Sequence, residues 1–257
     1  MLTARPDIDT DNIIRQRSGN NRTDGWTEGS LSKANLTAWG GDLVGLAACD
    51  SAINETIPLR LFFASNSTAF EEYLWFTDED KWVWQQTWEG YSGAASVGCF
   101  GNLDGYRYVG LVSRSNQLEF WYQAQEDLQD GWQKGEYPQH LILGARTDQR
   151  ALARHDIANV HPASSLSLTL NYAFYQENTT NAIKVSQMNW QNFYTSSVDS
   201  DISPPDGLEG VSGTHLSAQQ NGNYTWIFYQ RDGDDITWLE RAPDADRWQV
   251  KDPVPFA

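Results

Sequence analysis

An all-β propeller is the fold class this sequence predicts, and three observations carry it. Tryptophans follow turns at near-regular intervals: Asp24-Gly25-Trp26, Asp80-Lys81-Trp82, Asp130-Gly131-Trp132, Asn189-Trp190 and Asp246-Arg247-Trp248 are 56, 50, 58 and 58 residues apart. A short run rich in aromatic and β-branched residues precedes the last four of them: Leu59 to Phe63, Tyr106 to Val112, Leu168 to Tyr175 and Tyr224 to Tyr229. Each run is followed by a polar turn and a second run, at Ala69 to Phe76, Gln117 to Gln123, Ala182 to Gln187 and Asp235 to Glu240. Paired short strands separated by Gly, Asn and Asp turns, with a period near about fifty residues, are the pattern of propeller blades.

Taken in order, residues 1–34 read as a partial blade and 35–90, 91–137, 138–195 and 208–252 as blades of one domain spanning 1–257. The count is about five, with six possible. In the partial blade Asp11 to Arg15, running to Trp26, aligns with Asp235 to Trp238, running to Trp248. Its completion is expected from the other terminus or from Ser30 to Leu46. The insertion from Thr147 to Ser164 is expected to form a loop over one face. The blades carry neither a Gly-His…Trp-Asp pattern nor a Gly-Gly pair each, which sets WD40 and kelch repeats aside.

Composition narrows the partners. Hydrophobic residues make up 40% of the 257 and charged residues 20%, enough for a packed core. A formal charge of −16 repels phosphate backbones and anionic lipid, so neither nucleic acid nor a membrane surface is expected. No apolar run reaches the length of a membrane span. Asn-X-Ser/Thr sequons occur at Asn21, Asn35, Asn54, Asn66, Asn178 and Asn223, where chance predicts roughly two or three. They imply a secreted protein or one of the secretory-pathway lumen. The polar stretch after Met1 has no signal-peptide pattern, so a targeting segment removed beforehand is expected. Cys49 and Cys99 are the only cysteines; one disulfide and two buried thiols both fit.

Two Arg–Glu pairs stand out. Leu59-Arg60-Leu61-Phe62-Phe63 leads to Glu72, twelve residues beyond Arg60, and Tyr106-Arg107-Tyr108 leads to Glu119 at the same interval. Tyr122 and Trp132 follow the second pair. These repeats resemble those of the fungal fucose-specific lectins of the Aleuria type, in which an Ile/Leu-Arg-Val-Tyr-Tyr-Gln run and a turn lead to Ile-X-Glu. There, Arg and Glu on adjacent strands grip vicinal sugar hydroxyls, and a Tyr and a Trp from the next blade cover the apolar face of the sugar. The resemblance implies one full pocket of Arg60, Glu72, Tyr122 and Trp132. It implies a second, partial one of Arg107, Glu119 and Trp190, with Gln187 in place of the Tyr. Elsewhere the pattern is lost: Tyr172 and Lys184 hold the two positions in one repeat, Trp226 and Trp238 in the last, and Arg15 the Glu position of the partial blade. Trp75, Trp84, Trp88 and Trp121 read as packing residues.

Two functions follow from the resemblance. One is a secreted fucose-binding lectin with one or two inter-blade sites and fucosylated glycans as partners. Against it, avidity rewards several equal sites, and here one is intact. The other is the lectin-like hetero-Diels–Alderase of fungal tropolone-sesquiterpenoid pathways, a cofactor-free enzyme acting on a small-molecule substrate. It would join a tropolone quinone methide to a humulene-type alkene in a dry aromatic cleft. In that reading Arg60 holds the tropolone oxygens, Glu72 carries the proton of the dehydration, and Tyr122 and Trp132 stack on the ring. The asymmetry between pockets favours the enzyme.

No metal is expected. The Asp7-X-Asp9-X-Asp11 run ends on Ser18 where a calcium loop needs Glu, and His140, His155, His161 and His215 have no ligand spacing. Gly90-Tyr91-Ser92-Gly93 is one residue short of a nucleophile elbow.

Overall fold

The computed structural model describes residues 3–19, 27–41, 43–49, 59–95, 97–101, 107–123, 131–135, 157–163, 166–169, 171–189, 194–197, 209–222, 224–232, 235–242 and 248–254. These form five antiparallel meanders. The first sheet has three strands, β1 (Thr3–Ile8), β2 (Ile14–Gly19) and β3 (Thr27–Glu28). The second holds β4 (Leu46–Cys49), β5 (Arg60–Asn66), β6 (Ala69–Phe76) and β7 (Lys81–Glu89). The third holds β8 (Gly98–Gly101), β9 (Arg107–Val112), β10 (Leu118–Gln123) and β11 (Gln133–Lys134). The fourth holds β12 (Ser167–Leu168), β13 (Tyr172–Gln176), β14 (Ile183–Asn189) and β15 (Tyr194–Ser197). The fifth holds β16 (Ser217–Asn221), β17 (Tyr224–Asp232), β18 (Asp235–Arg241) and β19 (Gln249–Val254). The leading strands β1, β4, β8, β12 and β16 neighbour one another in that order, as the inner strands of successive blades do.

Alternation along the strands builds the core. Successive side chains point to opposite faces, so each buried sheet contributes to two interfaces. Ile14 and Leu31 meet Leu61 and Phe63 between the first and second sheets. Phe62, Ala64 and Phe70 meet Val109 and Leu111 between the second and third. Tyr108, Val112, Leu118 and Phe120 meet Leu166, Leu168 and Ala173 between the third and fourth, and Phe174 and Val185 meet Ile227 and Leu239 between the fourth and fifth. Gly98 and Gly110 are a cross-strand pair, and a Cβ on Gly110 would stand 2.8 Å from the Leu166 side chain. Absence of a side chain there is what lets the fourth sheet close on the third.

Two expectations change. Ser30 to Leu46 does not complete the first sheet with a strand; Ser30–Ala34 is the helix α1, whose Leu31 is 2% exposed. The last strand, β19, pairs with β18 in its own sheet rather than with the first. Of the Thr147 to Ser164 insertion, residues 147–156 and Ser164 lie outside the described residues, whereas Ile157 and Val160 are buried in the core between the third and fourth sheets. Cys49 and Cys99 are bonded, with Cα atoms 5.7 Å apart, which ties β4 to β8.

Candidate functional site

The site lies between the second and third sheets, and strand register decides which residues enter it. Arg60 faces Leu74 across the β5–β6 ladder and Glu72 faces Phe62, so Arg60 and Glu72 are diagonal neighbours on one face. Phe62 packs towards the third sheet, so this face turns the same way. The pair is joined by an ion pair from Arg60 Nη1 to Glu72 Oε1, with Arg60 3% and Glu72 0% exposed.

Glu72 is saturated with donors. Besides Arg60 it accepts from Gln86 Nε2 at 2.9 Å, Trp88 Nε1 at 3.1 Å and Trp132 Nε1 at 2.9 Å. Trp132 also lies over Arg60, whose guanidinium carbon is 5.0 Å from the ring centroid, a cation–π contact in a desolvated setting. Phe62, Trp88 and Trp132 meet edge to face at 5.5 to 6.4 Å, and Trp121 adds a fourth ring at 5.3 Å from Trp88. The structure thus brings together Arg60, Glu72 and Trp132. It adds Trp88 and Trp121, which sequence assigned to packing; Trp88 both packs and donates to Glu72.

Tyr122 is elsewhere. It packs into the core between the third and fourth sheets, and its hydroxyl donates to Gln133 Oε1 at 2.7 Å. Its neighbour Gln123 points the opposite way and accepts from Arg60 Nη2. One step along a strand reverses the face, so the residue closing the site is Gln123.

The second expected pocket does not form, for a related reason. The β5–β6 hairpin closes on Asn66 and Ala69 with two residues between, whereas β9–β10 closes on Val112 and Leu118 with five between. Arg107 therefore faces Gln123 across the ladder, four residues from Glu119. The same interval of twelve that makes Arg60 and Glu72 neighbours leaves Arg107 and Glu119 apart. Both also lie on the face of Val109, Leu111 and Trp121, which turns back to the second sheet. The third-sheet positions matching Arg60 and Glu72 by ladder are Tyr108 and Phe120, buried against Leu166 and Leu168. Trp190 lies outside the described residues.

Glu119 joins a separate network. It accepts from the Tyr91 hydroxyl at 3.0 Å and from Lys134 Nζ at 2.8 Å, while Trp121 Nε1 donates to the same Tyr91 oxygen at 2.8 Å. Burial, then the Glu119 charge, raise the Tyr91 phenol well above its usual range. Arg107 joins the first site. Its side chain is buried, and among the described residues none of its three nitrogens has a hydrogen-bond partner. Burial first and the nearby Arg60 charge second push it down to about 10, with Glu72 pulling the other way. At neutral pH it remains a cation. Among the described residues two guanidiniums thus lie near one carboxylate, and of the two only Arg60 contacts it, a surplus of one positive charge in a closed aromatic setting.

Gln86, Gln123 and the inward turn of Arg107 were missed by sequence. The five-residue turn Ser113–Gln117, marked by Asn116 at φ 59°, was the signal that could have revealed the last two. In the lost repeats, Arg15 pairs with Asp9 at 2.8 Å and Trp226 Nε1 donates to Glu240 at 3.0 Å. Among the described residues no group of three or more His, Cys, Asp or Glu is placed to hold a metal ion, and no helix is long and apolar enough to cross a membrane. Of the sequon asparagines, Asn35, Asn66 and Asn178 are exposed; Asn21, Asn54 and Asn223 lie outside the described residues.

The fold is that of the fungal fucose-lectin β-propellers. A structure of Aleuria aurantia lectin in complex with α-methyl-L-fucoside superposes with a TM-score of 0.70 at 14% identity, covering 99% of this chain and 74% of that one. SapL1 lectin in complex with α-methyl fucoside gives 0.65 at 16%, covering 98% and 75%. The Aleuria aurantia structure described as a six-bladed β-propeller gives 0.63 at 13%, covering 99% and 78%. No family model matches the sequence, and no curated protein matches it.

Proposed function

We propose that this lectin-fold propeller uses a single inter-blade site, between its second and third sheets, as a cofactor-free pericyclase of the hetero-Diels–Alder type. The observation that carries the reading is the inequality of the interfaces. One holds Arg60, Glu72 and indole walls, while the matching positions one sheet on are Tyr108 and Phe120, packed as core. A glycan binder gains from repeated weak sites, whereas a catalyst needs one. The proposed substrates are a hydroxymethyl tropolone and a humulene-type alkene. The ring hydroxyl first gives its proton to solvent; the hydroxymethyl oxygen then leaves as hydroxide, reprotonated to water, as the ring oxyanion becomes the carbonyl of the quinone methide. The alkene then closes one C–C and one C–O bond. Arg60 polarises the ring oxygen, and Phe62, Trp88 and Trp132 exclude water and orient the two planes. Glu72 carries a proton only when one of its four donors releases it, so its first task is to hold Arg60 and two indoles in place.

Fucoside binding is the second reading. It is favoured by the Arg60–Glu72 pair beneath Trp132 and by the fucosides bound in the structures of similar fold. A glycan array and an adduct assay separate the two. The enzyme reading expects silence on fucosylated glycans and stereochemically uniform adduct formed faster than without protein. Trp132→Ala is expected to lower stereoselectivity about tenfold by removing a stacking wall. Strong array binding abolished by Arg60→Ala would establish the lectin instead. The exposed sequons support a secreted or secretory-lumen glycoprotein, for which the expected result is a mass decrease on peptide-N-glycosidase treatment of material from a eukaryotic secretory host.

A further inference from the structure

Resting on the reading that this site binds a small molecule, we infer that the molecule carries a delocalised oxyanion on a planar ring, gripped by Arg107 together with Arg60. Arg107 is 3% exposed and its Nε, Nη1 and Nη2 all lack partners among the described residues. A buried, unpaired guanidinium is among the costliest arrangements a core can hold, so its persistence calls for acceptors supplied from outside. Among the described residues the nearby walls do not supply them. Both Glu72 oxygens are taken by Arg60, Gln86, Trp88 and Trp132, and the Gln123 amide oxygen is taken by Arg60.

The same inventory sorts ligands by chemistry. Each sugar hydroxyl brings a proton that needs an acceptor as well as lone pairs that need donors. Both Glu72 oxygens are already used and Gln123 keeps a single lone pair, whereas Arg107 leaves all its donors open. An oxyanion is acceptor-only and matches that imbalance, and its charge balances the surplus of two guanidiniums over one carboxylate. Phe62, Trp88 and Trp132 are flat walls suited to a flat ring.

The test is a calorimetric titration of the full chain with tropolone at mildly alkaline pH, where its hydroxyl is ionised, and with its neutral O-methyl ether. The parent protein is expected to prefer the anion by roughly tenfold or more, the scale of a charge-assisted hydrogen bond. Arg107→Met is expected to lower that preference to within about twofold, while its melting temperature rises because an unpaired buried cation has gone. Equal binding of anion and ether by the parent, or an unchanged preference in Arg107→Met, overturns the inference. Should Arg107→Met fail to fold, the parent's preference decides alone. Anion binding without adduct formation removes the pericyclase reading and leaves this inference standing. Adduct formation at the parental rate by Arg107→Met does the reverse.

Discussion

Glu72→Gln is expected to destabilise the protein by about 3–5 kcal/mol, the cost of removing one partner from a buried ion pair. Glutamine keeps the size of the side chain but offers one acceptor oxygen where four donors converge, and its amide adds donors to a site already rich in them. Arg60 would then sit buried without its counter-charge, beside an Arg107 that already lacks hydrogen-bond partners among the described residues. Urea unfolding measures the loss. The double variant Arg60→Met, Glu72→Leu is expected to lie much closer to the parent, because it removes both charges together. A loss below about 1 kcal/mol for Glu72→Gln would mean that Glu72 does not hold Arg60 in solution.

Removing the disulfide is expected to cost about as much. Cys49 and Cys99 are 50 residues apart, and freeing a loop of that size from its closure costs about 4 kcal/mol in the chain-entropy account. For a chain of this length the double Cys→Ala variant should melt about 10 °C lower, and reductant should lower the parent's melting temperature similarly. The bond joins the leading strands of the two sheets that form the site. Adduct formation should therefore decline before global unfolding in the variant. Unchanged melting in reductant would mean that the bond constrains nothing the fold does not already constrain.

Much of this was legible in the sequence, because it is written in residue type and alternation. The aromatic runs around Phe62, Tyr108, Phe174 and Ile227 form strands, and Arg60, Glu72 and Trp132 meet as the repeat pattern implies. What was not legible is phase. An interval of twelve between Arg and Glu does not record how many residues the hairpin turn consumes, and a shift of one position reverses the face. That is why Gln123 stands where Tyr122 was expected, and why Arg107 and Glu119 turn towards the second sheet. The helix at Ser30–Ala34 was masked by the need to complete a partial blade, although Leu31, Lys33 and Ala34 are good helix formers.

The brevity of β11 has a kinetic consequence. Trp132 immediately precedes this two-residue strand, which is held to β10 through Trp121 and Lys134 and through Tyr122 and Gln133; β7, the last strand of the second sheet, has nine residues. Arg60 and Glu72 are closed off from water, so a ligand reaches them only while part of their cover stands aside. The piece of cover with the fewest ladder bonds is the one that opens most often. Backbone amides of Gln133 and Lys134 are thus expected to exchange with deuterium faster than those of Phe120 to Gln123. Ligand arrival would then saturate with concentration, limited by how often an outermost strand lifts rather than by diffusion.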